Sequence, residues 1–172
     1  DLMLSLIKES GFEQNLHLDL GHVDIFRNLS RIAGLSENEE IKLTDLYQRK
    51  AIPELAEFVE QVKLGQDFYT LGRYSSDLST LRQKLSAAVL ADDRLQQALD
   101  ALEQAQSHIK QYWPTINVGV DAAELRGYHY HTGLMFAVYS PNRAVPLAQG
   151  GRYDGIGVAF GRERPATGFS CD

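Results

Sequence analysis

The sequence predicts an α+β fold, in which a mainly antiparallel sheet is interrupted by a block of helices. Apolar residues alternate over residues 16–20, recur at helical spacing up to Pro114 and alternate again after it. Such changes of hydrophobic period mark changes between strand and helix. The later strands follow one another at hairpin spacing, which favours antiparallel pairing. We therefore expect residues 1–34 and 115–172 to form parts of one sheet domain, and residues 35–114 to form a helical lobe inserted in it.

The first 34 residues predict a helix, a strand and a second helix. The leucine-rich start of the chain precedes Gly11, which is typical of a glycine-capped helix end. Leucines at alternate positions over 16–20 predict a half-buried strand. We expect Gly21 and His22 to turn the chain into a helix that ends at Gly34.

Helical spacing continues from Ser36 to Pro114. Ser36 to Glu39 reads as a capping box, and Pro53 suits the first turn of a second helix. Residues 64–74 predict a turn and a short helix. Asp92 or Asp93 is in place to cap the last helix, whose apolar stripe favours core packing.

Strand patterns return after Pro114. Residues 116–120 alternate, and residues 134–139 are apolar on both faces, as in a central strand. Residues 141–143 predict a hairpin turn that returns through residues 145–148. Two further segments complete the predicted sheet, of which the second reads as a core strand: 158–160 and 167–171.

The composition fits one domain, or a domain with a subdomain, because 172 residues with 44% hydrophobic residues bury a sizeable core. The lone Cys171 excludes an internal disulfide framework and favours a reducing compartment, so we expect a cytoplasmic protein. No apolar run has the length of a membrane span, and no signal peptide is visible. Since the sequence starts at Asp1 and stops at Asp172, directly after a predicted strand, we expect a piece of a longer protein.

The net charge of −6 is unevenly distributed. Residues 124–172 carry five Arg and four acidic residues, whereas residues 1–123 carry 12 basic and 19 acidic residues. An acidic body is a poor electrostatic match to a polyanion. The charge therefore argues against a nucleic-acid partner.

Three glycine-containing motifs follow one another in the last third of the chain. They are Arg126–Gly133 (RGYHYHTG), Gln149–Asp154 (QGGRYD) and Pro165–Ser170 (PATGFS). Glycines let the backbone approach a ligand, and tyrosines supply flat walls with hydroxyl tips. The motifs predict a small-ligand site built on the sheet.

These motifs resemble those of the histidyl-tRNA synthetases and, more closely, those of a paralogous family, the regulatory subunits of ATP phosphoribosyltransferase. The resemblance implies a class II aminoacyl-tRNA synthetase-like fold. It also implies a catalytically silent subunit that assembles with a catalytic ATP phosphoribosyltransferase subunit in the first step of histidine biosynthesis. Histidine is the implied feedback ligand, self-association is expected, and no cofactor, nucleic acid or membrane is implied.

The resemblance further implies a histidine-binding site composed of Arg126, Tyr130, His131, Gly150, Gly151 and Tyr153. Tyr130 and His131 match the tandem tyrosines that line the side-chain pocket in the synthetases. Arg126 matches the arginine that contacts the adenylate phosphate there, and a structural ion pair with Glu124 or Asp154 is an equal alternative. The paired glycines are expected to hold the ligand with their backbone, with a tight hairpin turn as the alternative.

Two features of the sequence bear on other functions. His129 and His131 would point the same way on a strand and could reach one metal ion, with His22 as a remote third ligand, but no nearby Cys or acidic ligand completes a set, so no metal site is expected. Asp172 stands where the synthetases carry a glycine against ATP, and a carboxylate there would repel phosphates.

Two alternatives from other classes stay open. One is the catalytic domain of a histidyl-tRNA synthetase, which Arg126 favours and Asp172 argues against. The other is a stand-alone histidine-binding module.

Overall fold

The computed structural model describes residues 1–11, 15–141, 143, 145–155, 161 and 164–171. Its elements, in chain order, are α1 (Leu2–Glu9), β1 (His17–His22), α2 (Val23–Ala33), α3 (Glu37–Gln48), α4 (Ile52–Val59), α5 (Gly65–Tyr74), α6 (Leu78–Lys84), α7 (Ala87–Leu90), α8 (Asp93–Tyr112), β2 (Asn117–Val120), β3 (Leu134–Tyr139), β4 (Ala148–Arg152) and β5 (Thr167–Cys171). None of these described helices combines the length and the apolar composition needed to cross a bilayer.

The described strands form one sheet in the order β2-β1-β3-β4-β5. β1 pairs with β2 in parallel, and the other three pairings are antiparallel. The prediction of a mainly antiparallel sheet that unites the N-terminal strand with those after Pro114 is therefore confirmed. The parallel pair is possible because the whole helical segment lies between β1 and β2 and carries the chain back.

Local sequence signals set several of the helix ends. Ser36 and Glu39 form the predicted capping box at the start of α3, and the side chain of Asp92 accepts from the backbone N–H of Leu95 at the start of α8. Gly34 ends α2 in the left-handed conformation with φ 71°. Pro53 lies in the first turn of α4, as predicted.

Three sequence predictions about the sheet need correction. Gly21 and His22 do not turn the chain, because they continue β1 and pair with Met135 and Leu134 of β3. The strand that returns from β3 is Ala148–Arg152 rather than residues 145–148, of which only Ala148 belongs to it. The predicted core strand over 167–171 is β5, which lies at an edge of the described sheet and is largely exposed. The strand predicted at 158–160 lies outside the described residues.

A hydrophobic cluster of described residues joins the helices to the sheet. At its centre the fully buried ring of Phe26, in α2, makes edge-to-face contacts with Tyr47, Phe68 and Tyr128 at centroid distances of 5.6, 6.0 and 5.4 Å. α8 packs against α2, β1 and β2. The assignment of residues 35–114 to a separate lobe stays a prediction.

Candidate functional site

A cleft with a volume of ≈ 520 Å³ lies on one face of the sheet. Side chains alternate between the two faces of a strand, so Asp19 of β1, Ala137 of β3 and Ser170 of β5 face the cleft together. Residues of the first motif cover the cleft, and residues of the second and third motifs, in and next to β4 and β5, line it. The structure therefore brings all three motifs to one place.

Glycines form most of one row across this face, and we refer to it as the glycine row: Gly21, Met135, Gly151 and Gly168. Each glycine lies under a larger side chain. A Cβ atom at Gly21 would lie 2.8 Å from the Cβ of Glu124, and one at Gly168 would lie 2.1 Å from the hydroxyl of Tyr153. Because the row lacks side chains, Glu124, His131 and Tyr153 lie directly on the sheet and shape the cleft.

The motif loop, residues 126–133, supplies the roof of the cleft. Residues 126–130 form turns, so the expectation that His129 and His131 lie on a strand is wrong. The ring of His131 lies between two glycines, since a Cβ at Gly127 would be 2.5 Å from its Cδ2 and one at Gly151 would be 2.7 Å from its Nδ1. Gly127 also has a φ of 68°, which other residues adopt only with strain.

No sequence pattern marked the residue that anchors this loop. Nη2 of Arg27, in α2, donates to the backbone oxygens of Tyr128 and His131, each at 2.9 Å. Its Nη1 pairs with Asp24, and its guanidinium lies over the ring of Tyr128, 5.1 Å from the centroid. Arg27 therefore fixes both the backbone and one ring of the motif loop.

Arg126 is held by an ion pair rather than left free. Its Nε and Nη2 donate to Oε2 of Glu124 at 2.9 and 2.7 Å, and its Nη1 donates to the Tyr139 hydroxyl at 2.8 Å. The hydrogen bonds to Glu124 raise the pKa of Arg126 above its ordinary value, against the opposing effect of partial burial. Of the two partners that the sequence left open, Glu124 is the one observed, because Asp154 pairs with Arg152.

Carboxylates dominate the charged lining of the cleft. Asp19, Asp121 and Glu124 all line it. Asp19 lies 2.7 Å from Nε2 of His17, and Asp121 pairs with Lys50 of the segment between α3 and α4. Such a surface attracts a cationic amine and opposes a free anion.

Five of the six predicted site residues line the cleft: Arg126, Tyr130, His131, Gly150 and Tyr153. The sixth, Gly151, is not among the lining residues and instead lies beneath the ring of His131. Gly150 and Gly151 are inside β4, so the alternative of a tight hairpin turn is wrong. The ring of Tyr130 stacks on that of His131 with centroids 4.6 Å apart, although 64% of Tyr130 is exposed.

The structure offers no metal site in the part of the chain that it describes, where no three His, Cys, Asp or Glu side chains gather around a point. His129 is exposed, whereas His131 is buried and its Nδ1 has no hydrogen-bond partner among the described residues. His22 caps α2 on the other face of the sheet. Asp172, the residue that argued against an enzyme, lies outside the described residues.

A second, larger groove of ≈ 720 Å³ lies on the opposite face of the sheet. Its floor is formed by the alternate positions of the strands, including Leu20 and Leu134, and α2 and α8 form its walls. Arg27 and Arg152 both line this groove. Arg27 thus lies between the groove and the motif loop.

Comparison with known proteins identifies the family. The model for histidyl-tRNA synthetase matches residues 1–172. The chain belongs to the histidyl-tRNA synthetase family. Within this family it is 63% identical, over its whole length, to an ATP phosphoribosyltransferase regulatory subunit of Acinetobacter baumannii, strain AYE. The predicted resemblance to these regulatory subunits is confirmed. The chain spans 44% of the length of that relative.

Solved structures of the family share the fold. An ATP phosphoribosyltransferase regulatory subunit/histidyl-tRNA synthetase from Bacillus halodurans C has a TM-score of 0.77 at 23% identity, over 98% of this chain and 45% of its own. An ATP phosphoribosyl transferase (HisG:HisZ) complex from Thermotoga maritima gives 0.73 at 20% identity, over 99% and 58%. The predicted class II synthetase-like α+β fold is therefore confirmed.

Proposed function

We propose that this chain is part of a non-catalytic regulatory subunit of ATP phosphoribosyltransferase. The observation that carries the proposal is the 63% identity, over all 172 residues, to a protein of that name. The whole protein would assemble with a catalytic subunit that condenses ATP with phosphoribosyl pyrophosphate, the first step of histidine biosynthesis. We further propose that it works in the cytoplasm and associates with itself.

We propose histidine as the ligand of the cleft. Tyr130, His131 and Tyr153 supply aromatic walls and polar tips for an imidazole, and the carboxylates Asp19 and Glu124 supply counter-charges for an ammonium group. The backbone of Gly150 is open to the cleft as well. These features support binding of the free amino acid.

Catalysis as a histidyl-tRNA synthetase is the second candidate, favoured by the family model and by the retained Arg126. The geometry argues against it, because the guanidinium of Arg126 is occupied by Glu124 and Tyr139. We expect the full-length protein to give no histidine-dependent exchange of pyrophosphate into ATP. Exchange at the rate of a working synthetase would reverse the order of the two candidates.

The histidine site is tested by removing one hydroxyl at a time from the full-length protein in its complex. Tyr153→Phe and Tyr130→Phe each remove a hydroxyl at the cleft, and a lost hydrogen bond costs about 0.5–1.5 kcal/mol. The histidine concentration that half-inhibits the complex should rise about 2- to 13-fold, with uninhibited turnover unchanged.

Tyr112→Phe is the matched control, because Tyr112 is an exposed tyrosine of α8 that does not line the cleft. It should leave inhibition as it is in the wild type. Calorimetry on the full-length protein without its partner should show heat of histidine binding. If no heat is detected at millimolar histidine and both cleft variants are inhibited normally, the cleft is not the histidine site.

A further inference from the structure

The residues that line the cleft carry more acidic than basic side chains. Asp19, Asp121 and Glu124 line it, and Arg126 is the one Lys or Arg among the described lining residues. Because Arg126 is already bonded to Glu124 and Tyr139, the part of the lining that the structure describes presents no guanidinium without a counter-charge to a ligand.

Glu124 holds Arg126 through both of its carboxylate oxygens. Oε2 accepts from Nε and Nη2 of the guanidinium, and Oε1 accepts from the backbone N–H of Arg126 at 2.8 Å. The carbon atoms of Glu124 lie against Gly21, where any side chain would displace them. The side chain of Glu124 is only 19% exposed, so water screens the ion pair only in part.

We propose that Glu124 is the specificity-determining residue of the cleft. By occupying Arg126, it makes the cleft accept small ligands with a free ammonium group and reject ligands that carry a phosphate. The proposal rests on the histidine site proposed above and names the chemistry that this site selects. A carboxylate that already has a partner still has lone pairs to accept from an ammonium group, whereas a phosphate has to compete with Glu124 for Arg126 or lie beside Asp19 and Asp121.

Such selection serves a site that senses a free amino acid. ATP and phosphoribosyl pyrophosphate, the substrates of the proposed complex, both carry phosphates that a free arginine would bind. A cleft whose arginine is occupied responds to the amino acid without competition from these substrates.

The test compares three probes in calorimetry on the full-length protein: histidine, its methyl ester and histidinol phosphate. The wild type should bind the ester, which keeps the ammonium group, and should bind histidinol phosphate at least about tenfold more weakly than histidine. Glu124→Gln keeps the length of the side chain and its contact with Gly21 but loses the charge. This variant should bind histidinol phosphate about tenfold more tightly than the wild type does, and the ester more weakly.

The double variant Glu124→Gln/Arg126→Gln is the control, because it should lose the gain in phosphate affinity. Inorganic phosphate, followed by phosphorus NMR, is a probe that does not depend on histidine recognition. It should bind to Glu124→Gln and not to the wild type.

Equal affinity of wild type and Glu124→Gln for histidinol phosphate and for inorganic phosphate would overturn the proposal. So would a wild type that binds histidinol phosphate as tightly as histidine. A wild type that binds no histidine, beside a Glu124→Gln variant that gains phosphate, would overturn the histidine site but support the role of Glu124.

Discussion

Gly168→Ala should weaken ligand binding without unfolding the protein, because the new methyl group meets only the end of a side chain. A Cβ at Gly168 lies 2.1 Å from the hydroxyl oxygen and 3.2 Å from the Cζ of Tyr153. The half-buried Tyr153 ring must swing off the sheet, whereas the backbone of β5 keeps its place. We expect the free energy of unfolding to change by no more than about 0.5 kcal/mol.

The loss of affinity follows from the displaced hydroxyl. A hydrogen bond from Tyr153 to the ligand is worth about 0.5–1.5 kcal/mol, so the dissociation constant for histidine should rise about 2- to 13-fold. Gly150→Ala, in the neighbouring strand, is the comparison variant for stability, which it should lower. Its Cβ would lie 2.1 Å from the backbone oxygen of Gly168 and 2.8 Å from the Cα of Phe169, so β4 and β5 must separate.

Forcing two strands apart costs about 1–3 kcal/mol, as in an overpacked core. For a domain of this size, each kcal/mol lowers Tm by about 2–4 °C, so Gly150→Ala should melt about 2–12 °C lower. Thermal unfolding and histidine calorimetry on the full-length protein measure both effects. The reasoning fails if Gly168→Ala loses as much stability as Gly150→Ala, or if it binds histidine like the wild type.

Two predictions concern pH. Burial raises the pKa of Tyr47, whose hydroxyl donates to the backbone oxygen of Phe68 at 2.7 Å. Its folded pKa is above its unfolded pKa of about 10, so its contribution to stability is complete below pH 10 and is lost as pH rises further. Tyr47→Phe should lower the free energy of unfolding by about 1 kcal/mol at neutral pH. In denaturant titrations, its free energy of unfolding should fall less steeply towards alkaline pH than that of the wild type. An alkaline slope equal to that of the wild type would contradict this. Burial lowers the pKa of His22, so its contribution is present above its ordinary value of 6.5 and is lost as pH falls through the folded pKa. His22→Asn keeps a side-chain acceptor for the N-cap of α2 and should be less sensitive to acid in urea titrations, whereas a pH profile identical to that of the wild type would refute the argument.

The sequence predicted those features whose causes are local. The capping box at Ser36, the left-handed glycine at Gly34 and the order of strands and helices all follow from residues within a few positions of one another. Five of the six site residues that the motifs predicted line the cleft, because a motif itself contains the residue types that a ligand site needs.

Features that depend on distant residues were predicted wrongly or missed. Glycines occur in tight turns and also within strands, at positions where another side chain lies across the backbone. Only the residue that lies across the glycine, which can be distant in sequence, distinguishes the two cases. Gly21 lies under Glu124, and Gly151 lies under His131, so both stay in strands where a turn was the expected or alternative interpretation. Arg27 is 101 residues from the loop carbonyl of Tyr128 that it binds, so no local pattern marks it.

Helix α2 connects the motif loop above the cleft to α8. Arg27 holds the motif loop on one side, and Arg31, one turn further along the same helix, pairs with Asp92, the N-cap of α8. The Cα atoms of Arg27 and Arg31 lie about 6 Å apart along the helix axis. A helical segment of this length is too short to bend. We therefore expect a displacement of α8 to be transmitted through α2 to the backbone of Tyr128 and His131, which form part of the roof of the cleft.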